Sequence, residues 1–462
     1  MSPTYKFSNA GGFTSKERYA LMTAGNPEPY WITGYRGADS VNSWSTVEAI
    51  KKDNNGNIYT LGGLFNTTTA FNEVSLAKYN SYGVLVWQKR IYESGRGVVV
   101  TSMTVGLDGN IYIISREQQS SGSYFPFIAK FNSDGTKIWD TRFPFVTSPV
   151  STFTTIRSLT ADSSGNVYFV GESVKTSGDN YSGWIGKLNS SGVLVWQKYV
   201  GDNISNGVFG RKILLNSSND LIVLLHKSTV GLTGPAFLIK MDTSGNEIWQ
   251  RQYNFDLNFA DDVLALDSSD NIYIALQSGN SEGVFVKYNN SGTLLWERSL
   301  YFAGGNIYCW GIGIDTNNNV YFISSADYLS SPVNGYGVSI VKYNSSGTIQ
   351  WQRVATSTWD GLFPYIGSND DNGNPVIGGY VYLDANAEYN FLLKVRTTGG
   401  NIGTFIMDNG LPIFYSASDY VDSALSNGSI TPTYALSTAS KTQESTAISV
   451  GTSTLTEYFG NL

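Results

Sequence analysis

One short phrase of sequence recurs seven times along these 462 residues. Each copy opens on a lysine: Lys78, Lys130, Lys187, Lys240, Lys287, Lys342 and Lys394, spaced 52, 57, 53, 47, 55 and 52 residues apart. Five residues after each lysine stands a glycine, namely Gly83, Gly135, Gly192, Gly245, Gly292, Gly347 and Gly399. Nine residues after each of the first six stands a tryptophan: Trp87, Trp139, Trp196, Trp249, Trp296 and Trp351. A period near 50 residues marks a repeat array in which each unit is one supersecondary element stacked on the next.

Within one repeat the text reads as strands and turns. A strand at 45–51 leads to the polar turn Asp53-Asn54-Asn55-Gly56-Asn57, and a second strand, 58–61, ends at Gly62-Gly63. A third strand over 75–79, the turn at 80–83 and a fourth strand over 84–90 complete the unit. Short β-branched and aromatic runs bounded by Asn, Asp, Ser and Gly are strand-and-hairpin signals. Gly and Asn suit the turns because they tolerate positive φ. The first turn recurs at 108–112, 162–168, 267–273 and 315–321 and is eroded at 216–223 and 371–376. Four antiparallel strands per unit make one propeller blade, and seven units fall within the roughly four to eight blades usual for that architecture. The expected fold is therefore all-β: a seven-bladed propeller of four-stranded antiparallel blades with N- and C-terminal extensions. The expected boundaries are an N-terminal arm at 1–28, the propeller at 29–404 and a Ser/Thr-rich C-terminal assembly arm at 405–462. A short helix is expected near 15–22.

The seventh unit lacks its tryptophan, since Gly403 stands nine residues after Lys394. Trp31 lies 56 residues before Trp87 in the strand-like run 30–35, so residues 29–36 are expected to supply the outer strand of the last blade. The alternative is that 402–407 complete it. Closing the ring matters because an open sheet edge invites aggregation. Trp31 and the six repeat tryptophans are read as blade-packing rings, each burying roughly 150–250 Å², and the seven glycines as blade turns. The alternative for the tryptophans is a circle of sugar-stacking rings.

Charged residues are only 15% of the chain, against about 25% in ordinary soluble proteins, so much of the surface is built from Ser, Thr, Asn, Gly and Tyr. A net charge of −7 and no long basic run argue against a nucleic-acid footprint. No stretch of 18 apolar residues is present for a membrane span. The N-terminus, Met1-Ser2-Pro3-Thr4-Tyr5-Lys6-Phe7-Ser8, has no apolar leader. A surface of extracellular character without an export signal fits a bacteriophage virion protein, made in host cytoplasm and released by lysis. A sequence whose leader has been removed is the other explanation.

The inventory for catalysis is thin. His226 is the single histidine and Cys309 the single cysteine, so a nucleophile–base arrangement has one imidazole to draw on and a His/Cys zinc site cannot be assembled. His226 reads as a strand-end residue and Cys309 as a small core residue. Asp261-Asp262, Asp370-Asp371 and Glu172 are carboxylate candidates by type for glycoside hydrolysis. The Asp-containing turns carry too few carboxylates for a calcium loop. The repeat lysines are expected to reach the aspartates of the neighbouring hairpin, as in Asp53 with Lys78 and Asp162 with Lys187. No catalytic, metal or cofactor residue is expected.

The run Lys342-Tyr343-Asn344-Ser345-Ser346-Gly347-Thr348-Ile349-Gln350-Trp351-Gln352-Arg353, with the 162–168 turn, resembles the β-propeller repeats of bacterial surface proteins and bacteriophage virions. The resemblance covers about residues 44–404 and implies a fold, since propellers host many functions. Gly192 followed four residues later by Trp196 is also similar to the tryptophan-docking motif of quinoprotein dehydrogenases. Those enzymes typically carry eight units and a vicinal cysteine pair, whereas this chain has seven units and one cysteine. The packing role of the tryptophan is what that resemblance implies here. The functional expectation is a non-enzymatic virion structural protein of tail, fibre or head decoration. Its terminal arms would bind other virion proteins in an oligomeric assembly, and its blade loops, including 120–126, 175–183 and 326–336, would meet a host-surface glycan or protein. The alternatives are a bacterial surface lectin or adhesin, and a polysaccharide hydrolase.

Overall fold

The computed structural model of the chain describes residues 48–395 apart from loop segments within that span. Outside it, the model describes the strands Thr4–Tyr5, Tyr19–Leu21, Tyr30–Tyr35, Gly403–Ile406, Pro412–Ala417, Val421–Ala424, Leu436–Thr438, Glu444–Ser445 and Ser449–Thr452. Every regular element described is a strand. The helix expected near 15–22 is corrected at Tyr19–Leu21, which is a strand paired antiparallel with Tyr30–Tyr35; residues 15–18 and 22 lie outside the described residues.

Each repeat folds as an antiparallel four-strand meander. In the third unit Thr155–Ala161, Val167–Ser173, Ser182–Leu188 and Leu194–Val200 pair in chain order. The two middle strands are almost wholly buried, while the outer strand alternates, as expected for a sheet sandwiched between neighbours with its last strand at the rim. The innermost strands contact one another in sequence: Ala49–Lys52, Val98–Val105, Thr155–Ala161, Val208–Leu215, Leu264–Leu266, Ile307–Ile314 and Leu362–Asn369, and the last returns to touch the first. That circuit is a propeller. Its core lies between adjacent sheets, where Leu76 and Val74 of one unit share a buried cluster with Ile113 and Phe127 of the next.

Counted as hydrogen-bonded sheets, the blades number six, not the expected seven. The correction has a local cause. Glu247–Asp256, the outer strand of the fourth unit, runs for ten residues and reaches the fifth unit, where Asp256 pairs with Gln277. The meanders of units four and five thereby share one nine-stranded sheet. The Gly62-Gly63 pair is a second correction: it does not end its strand, because Gly62 and Gly63 continue the ladder against Ser75 and Val74 and the strand extends over Ile58–Asn66.

The two ends of the chain meet in the last sheet. Tyr30–Tyr35 pairs antiparallel with Ala387–Lys394, matching Ile32 with Leu393 and Tyr35 with Asn390. Gly403–Ile406 lies elsewhere, paired with Pro412–Ala417 and, in parallel, with Thr4–Tyr5.

Beyond the ring, the C-terminal strands travel backwards around its rim. Pro412–Ala417 adds to the outer strand of unit six, Val421–Ala424 to that of unit five and Leu436–Thr438 to that of unit three. Glu444–Ser445 and Ser449–Thr452 then add to units two and one. Outer strands are the unpaired edges of a propeller, and an added strand removes their open donors and acceptors.

Candidate functional site

The two ends of each blade carry different chemistry. At the end holding the hairpin turns, the repeat phrase builds contacts between units. The tryptophan indole Nε1 donates to a backbone carbonyl in the turn of the following unit: Trp87 to Ser133, Trp139 to Ser190, Trp196 to Thr243, Trp249 to Asn290 and Trp296 to Ser345. The repeat glycine of that turn rests on the same ring. Gly192 has φ +81° and a methyl placed on it would meet Trp139 at 2.8 Å; Gly347 and Trp296 stand in the same relation at 2.9 Å. Gly135 faces Trp87, Gly245 faces Trp196 and Gly292 faces Trp249. These rings are half-buried under the next unit's turn. Trp351 is also half-buried and packs against Tyr321. Gly83 and Gly399 lie outside the described residues, and of Trp31 only the backbone is described.

The turn aspartates organise the same end. Asp108 Oδ2 accepts from the Tyr112 hydroxyl at 2.6 Å, from Asn110 and from Lys130 at 2.9 Å. Lys130 also lies over the Tyr112 ring. Lys240, Lys287 and Lys342 pair likewise with Asp220, Asp267 and Asp315 at 3.0, 3.5 and 3.0 Å. Lys78 and Lys187, the two whose aspartate partners the sequence suggested, instead reach forward to the carbonyls of Ser133 and Thr243. They do so from over the rings of Tyr59 and Tyr168. Asp53 and Asp162 take their own tyrosine hydroxyls and turn amides.

At the opposite end, five of the innermost strands bulge by one residue: unit seven at Tyr365, of which only the backbone is described, and four described side chains, Thr101, Arg157, Arg211 and Trp310 of units two, three, four and six. A bulge re-aims a side chain. Here three of the four reach the residue fifteen positions later on the second strand. Arg157 grips Glu172 with Nε at 3.0 Å and Nη2 at 2.6 Å, Arg211 Nε donates to His226 Nδ1 at 3.0 Å, and Trp310 Nε1 donates to the Ser325 hydroxyl at 2.7 Å. The equivalent second-strand residue in unit two is Arg116, whose guanidinium lies 5.3 Å over the Tyr124 ring.

These groups form one electrostatic set across three consecutive units. Burial lowers the Arg116 pKa and the Arg157 charge adds to that, while Tyr124, Glu172 and Glu48 oppose it. Burial, then the charges of Arg211 and Arg157, push the His226 imidazole down to about 3. His226 is therefore neutral near pH 7, 4% exposed, and stacked on Phe209 at 5.1 Å, which in turn meets Tyr181 at 5.3 Å. Arg211 is 2% exposed, but the Arg157 side chain is 32% exposed and opens the set to solvent. The arrangement concentrates positive charge beside half-buried aromatic faces in a chain whose net charge is −7.

Of the carboxylate candidates, Glu172 is bound up with Arg157, and Asp261, Asp262, Asp370 and Asp371 lie outside the described residues. Cys309 is buried beside the Leu276 carbonyl, and burial pushes its thiol up to about 12. Sequence reading missed Arg116, Arg157, Arg211 and Trp310. The common separation of fifteen residues from a second-strand partner joins different residue types in each unit, so it emerges only once the strands are paired.

No protein-family model and no curated sequence matches this chain. Several solved structures resemble it at low identity. A Dyadobacter fermentans protein of unknown function is 10% identical with a TM-score of 0.43, covering 79% of this chain and 98% of its own. The leech intramolecular trans-sialidase, solved with 2,7-anhydro-Neu5Ac, is 10% identical at a TM-score of 0.36, covering 86% of this chain and 70% of its own. The Trypanosoma rangeli sialidase is 10% identical at 0.39, covering 82% and 58%. What the chain's own topology establishes is an all-β propeller of four-stranded antiparallel blades.

Proposed function

We propose that this chain is a non-catalytic, contact-making propeller of a bacteriophage particle, in which the ring presents a binding face to a host-surface molecule or a neighbouring virion protein. The observation that carries the non-catalytic reading is the state of three candidate groups, His226, Cys309 and Glu172. General acid–base work needs a group poised near the working pH. His226 is held far below it, the Cys309 thiol far above it, and the Glu172 carboxylate is clamped by a bidentate arginine.

The contact-making part draws on the rim. Val86, Ile138, Val195, Ile248 and Leu295 each stand immediately before a repeat tryptophan and are each about half exposed. The same aliphatic position is thus presented on five units. The bacteriophage assignment rests on the repeat resemblance and the low-charge, tyrosine-rich composition. Particles purified through a density gradient and analysed by peptide mass spectrometry would contain the protein in fixed stoichiometry. Its consistent absence from every particle fraction would sink the virion reading. Release of new reducing ends from host envelope polysaccharide by the purified protein would sink the non-catalytic one.

A further inference from the structure

The arginines at the bulged end stand apart from the glycine–tryptophan contacts that join the turns of neighbouring units, and their composition points to a ligand. We propose that Arg116, Arg157 and Arg211 form a recognition site for the carboxylate of an acidic sugar. This deepens the reading of the ring as a binding face and rests on it.

Three observations carry the proposal. First, the arginines come from three consecutive units at the same end of the blades: Arg157 and Arg211 are inner-strand bulge residues, and Arg116 is on the second strand. The strand carrying Arg157, Thr155–Ala161, contacts both Val208–Leu215, which carries Arg211, and Ile111–Gln118, which carries Arg116, and the Arg157 charge acts on both Arg116 and His226. Among the described residues that act on Arg116 and His226, arginines outnumber carboxylates: Arg116, Arg157 and Arg211 stand with the neutral His226, against Glu172, which Arg157 holds, and Glu48. Second, Arg116 Nε is buried with no hydrogen-bond partner among the described residues. A buried guanidinium donor left unmatched is costly, and a planar carboxylate is the acceptor whose geometry suits an arginine fork. Third, half-buried aromatic faces flank the charges: Tyr124 under Arg116, and the Tyr181–Phe209 pair leading to His226. Aromatic faces beside carboxylate-binding donors match a ring that is apolar on its face and anionic at one substituent.

Neutral His226 has a defined part in this arrangement. Its Nδ1 accepts from Arg211 Nε and orients that guanidinium without cancelling its charge, as a carboxylate at the same place would. His226 is accordingly a positioning residue, and Arg116 and Arg157 are the contact residues.

The test is calorimetric titration of the full-length protein with trigalacturonate, its uncharged methyl ester and inorganic phosphate, run on wild type, Arg116→Gln, Arg157→Gln and Arg157→Lys. Trigalacturonate is expected to bind saturably and the methyl ester at least 10-fold more weakly. Arg116→Gln and Arg157→Gln are expected to lose at least 10-fold in affinity, with Arg157→Lys recovering part of that. Circular dichroism melts identify any variant that is merely unfolded, and the wild-type comparison of acid with ester decides the matter without variants. Equal binding of acid and ester, phosphate binding as tightly as trigalacturonate, or no saturable binding by wild type each overturns the proposal. Association with purified particles is read separately, so failure here leaves the virion reading standing on its own result.

Discussion

Gly192 sits against the face of Trp139, a residue of the preceding unit, close enough that a methyl group there would lie 2.8 Å from the ring. The Trp139 indole nitrogen donates to Ser190 in the same turn at 2.9 Å. The glycine and tryptophan that travel together in the repeat therefore meet across units: among the described residues, Gly135, Gly192, Gly245, Gly292 and Gly347 each serve the tryptophan one unit earlier.

Replacement of Gly192 by alanine tests that relationship against a control in the same fold. Gly109 has φ +75° but nothing within 4 Å of an added methyl, whereas Gly192 has both the positive φ and the indole. Gly109→Ala is expected to cost about 1–2 kcal/mol from backbone conformation alone. Gly192→Ala adds an overpacking term and is expected to cost roughly 2–4 kcal/mol. Urea denaturation of the two variants measures the difference, and equal losses would show that the indole contact contributes nothing.

Acid sensitivity follows from the turn aspartates. Burial favours the protonated form of Asp108, but hydrogen bonds from Tyr112, Asn110 and Lys130 outweigh it and hold the carboxyl below the usual carboxylate range; Asp267 and Asp315 are lowered in the same way. A lowered folded pKa contributes stability that is full above the unfolded value of about 4 and is lost as pH falls through the folded value. Unfolding free energy is expected to decline below about pH 4, and Asp108→Asn to flatten part of that decline. An unchanged pH profile in the variant would count against the network.

The single histidine makes a second pH experiment clean. With its folded pKa pushed down to about 3, the His226 imidazole is expected to show no titration in its NMR shifts between pH 8 and about pH 5. Because that value lies below the unfolded one near 6.5, His226 contributes stability present above about pH 6.5 and lost as pH falls toward 3. A midpoint near 6.5 in the folded protein would mean the imidazole is not enclosed by Arg211 and Phe209.

Ring closure is checked by removing the strand that completes it. Deleting residues 1–36 takes away Tyr30–Tyr35 and leaves the edge of Ala387–Lys394 open. The melting temperature is expected to fall by more than about 5 °C. An unaltered melt would show that the two ends of the chain do not share the last sheet.

The C-terminal strands predict a solubility effect. Truncation after Ile406 removes every rim strand from Pro412–Ala417 onward and bares the outer edges of five units. The truncated protein is expected to associate with increasing concentration in light scattering while keeping its β circular dichroism, since exposed edges template pairing.

What could be read in advance was whatever the repeat reuses. Lys130, Gly135 and Trp139 recur in register because every unit solves the same hairpin problem, so strand order and turn chemistry were legible. The joining of units four and five was not, because it depends on one strand overshooting to pair Asp256 with Gln277. The partner of each tryptophan was hidden for a different reason: Ser190 lies 51 residues beyond Trp139, and no local pattern links them. The arginine set was the least visible part. A bulge at Arg157 or Arg211 leaves no mark in an alternating strand pattern, and His226 read alone gives no sign that a buried guanidinium holds it.

The backward course of the C-terminal strands has a mechanical consequence. Tension applied at the tail reaches Ser449–Thr452 first, then Glu444–Ser445, then Leu436–Thr438, each a short ladder on a different blade. The tail therefore behaves as a row of weak fasteners released one at a time. A pull that would otherwise wrench a blade outward is spent peeling stitches from the circumference.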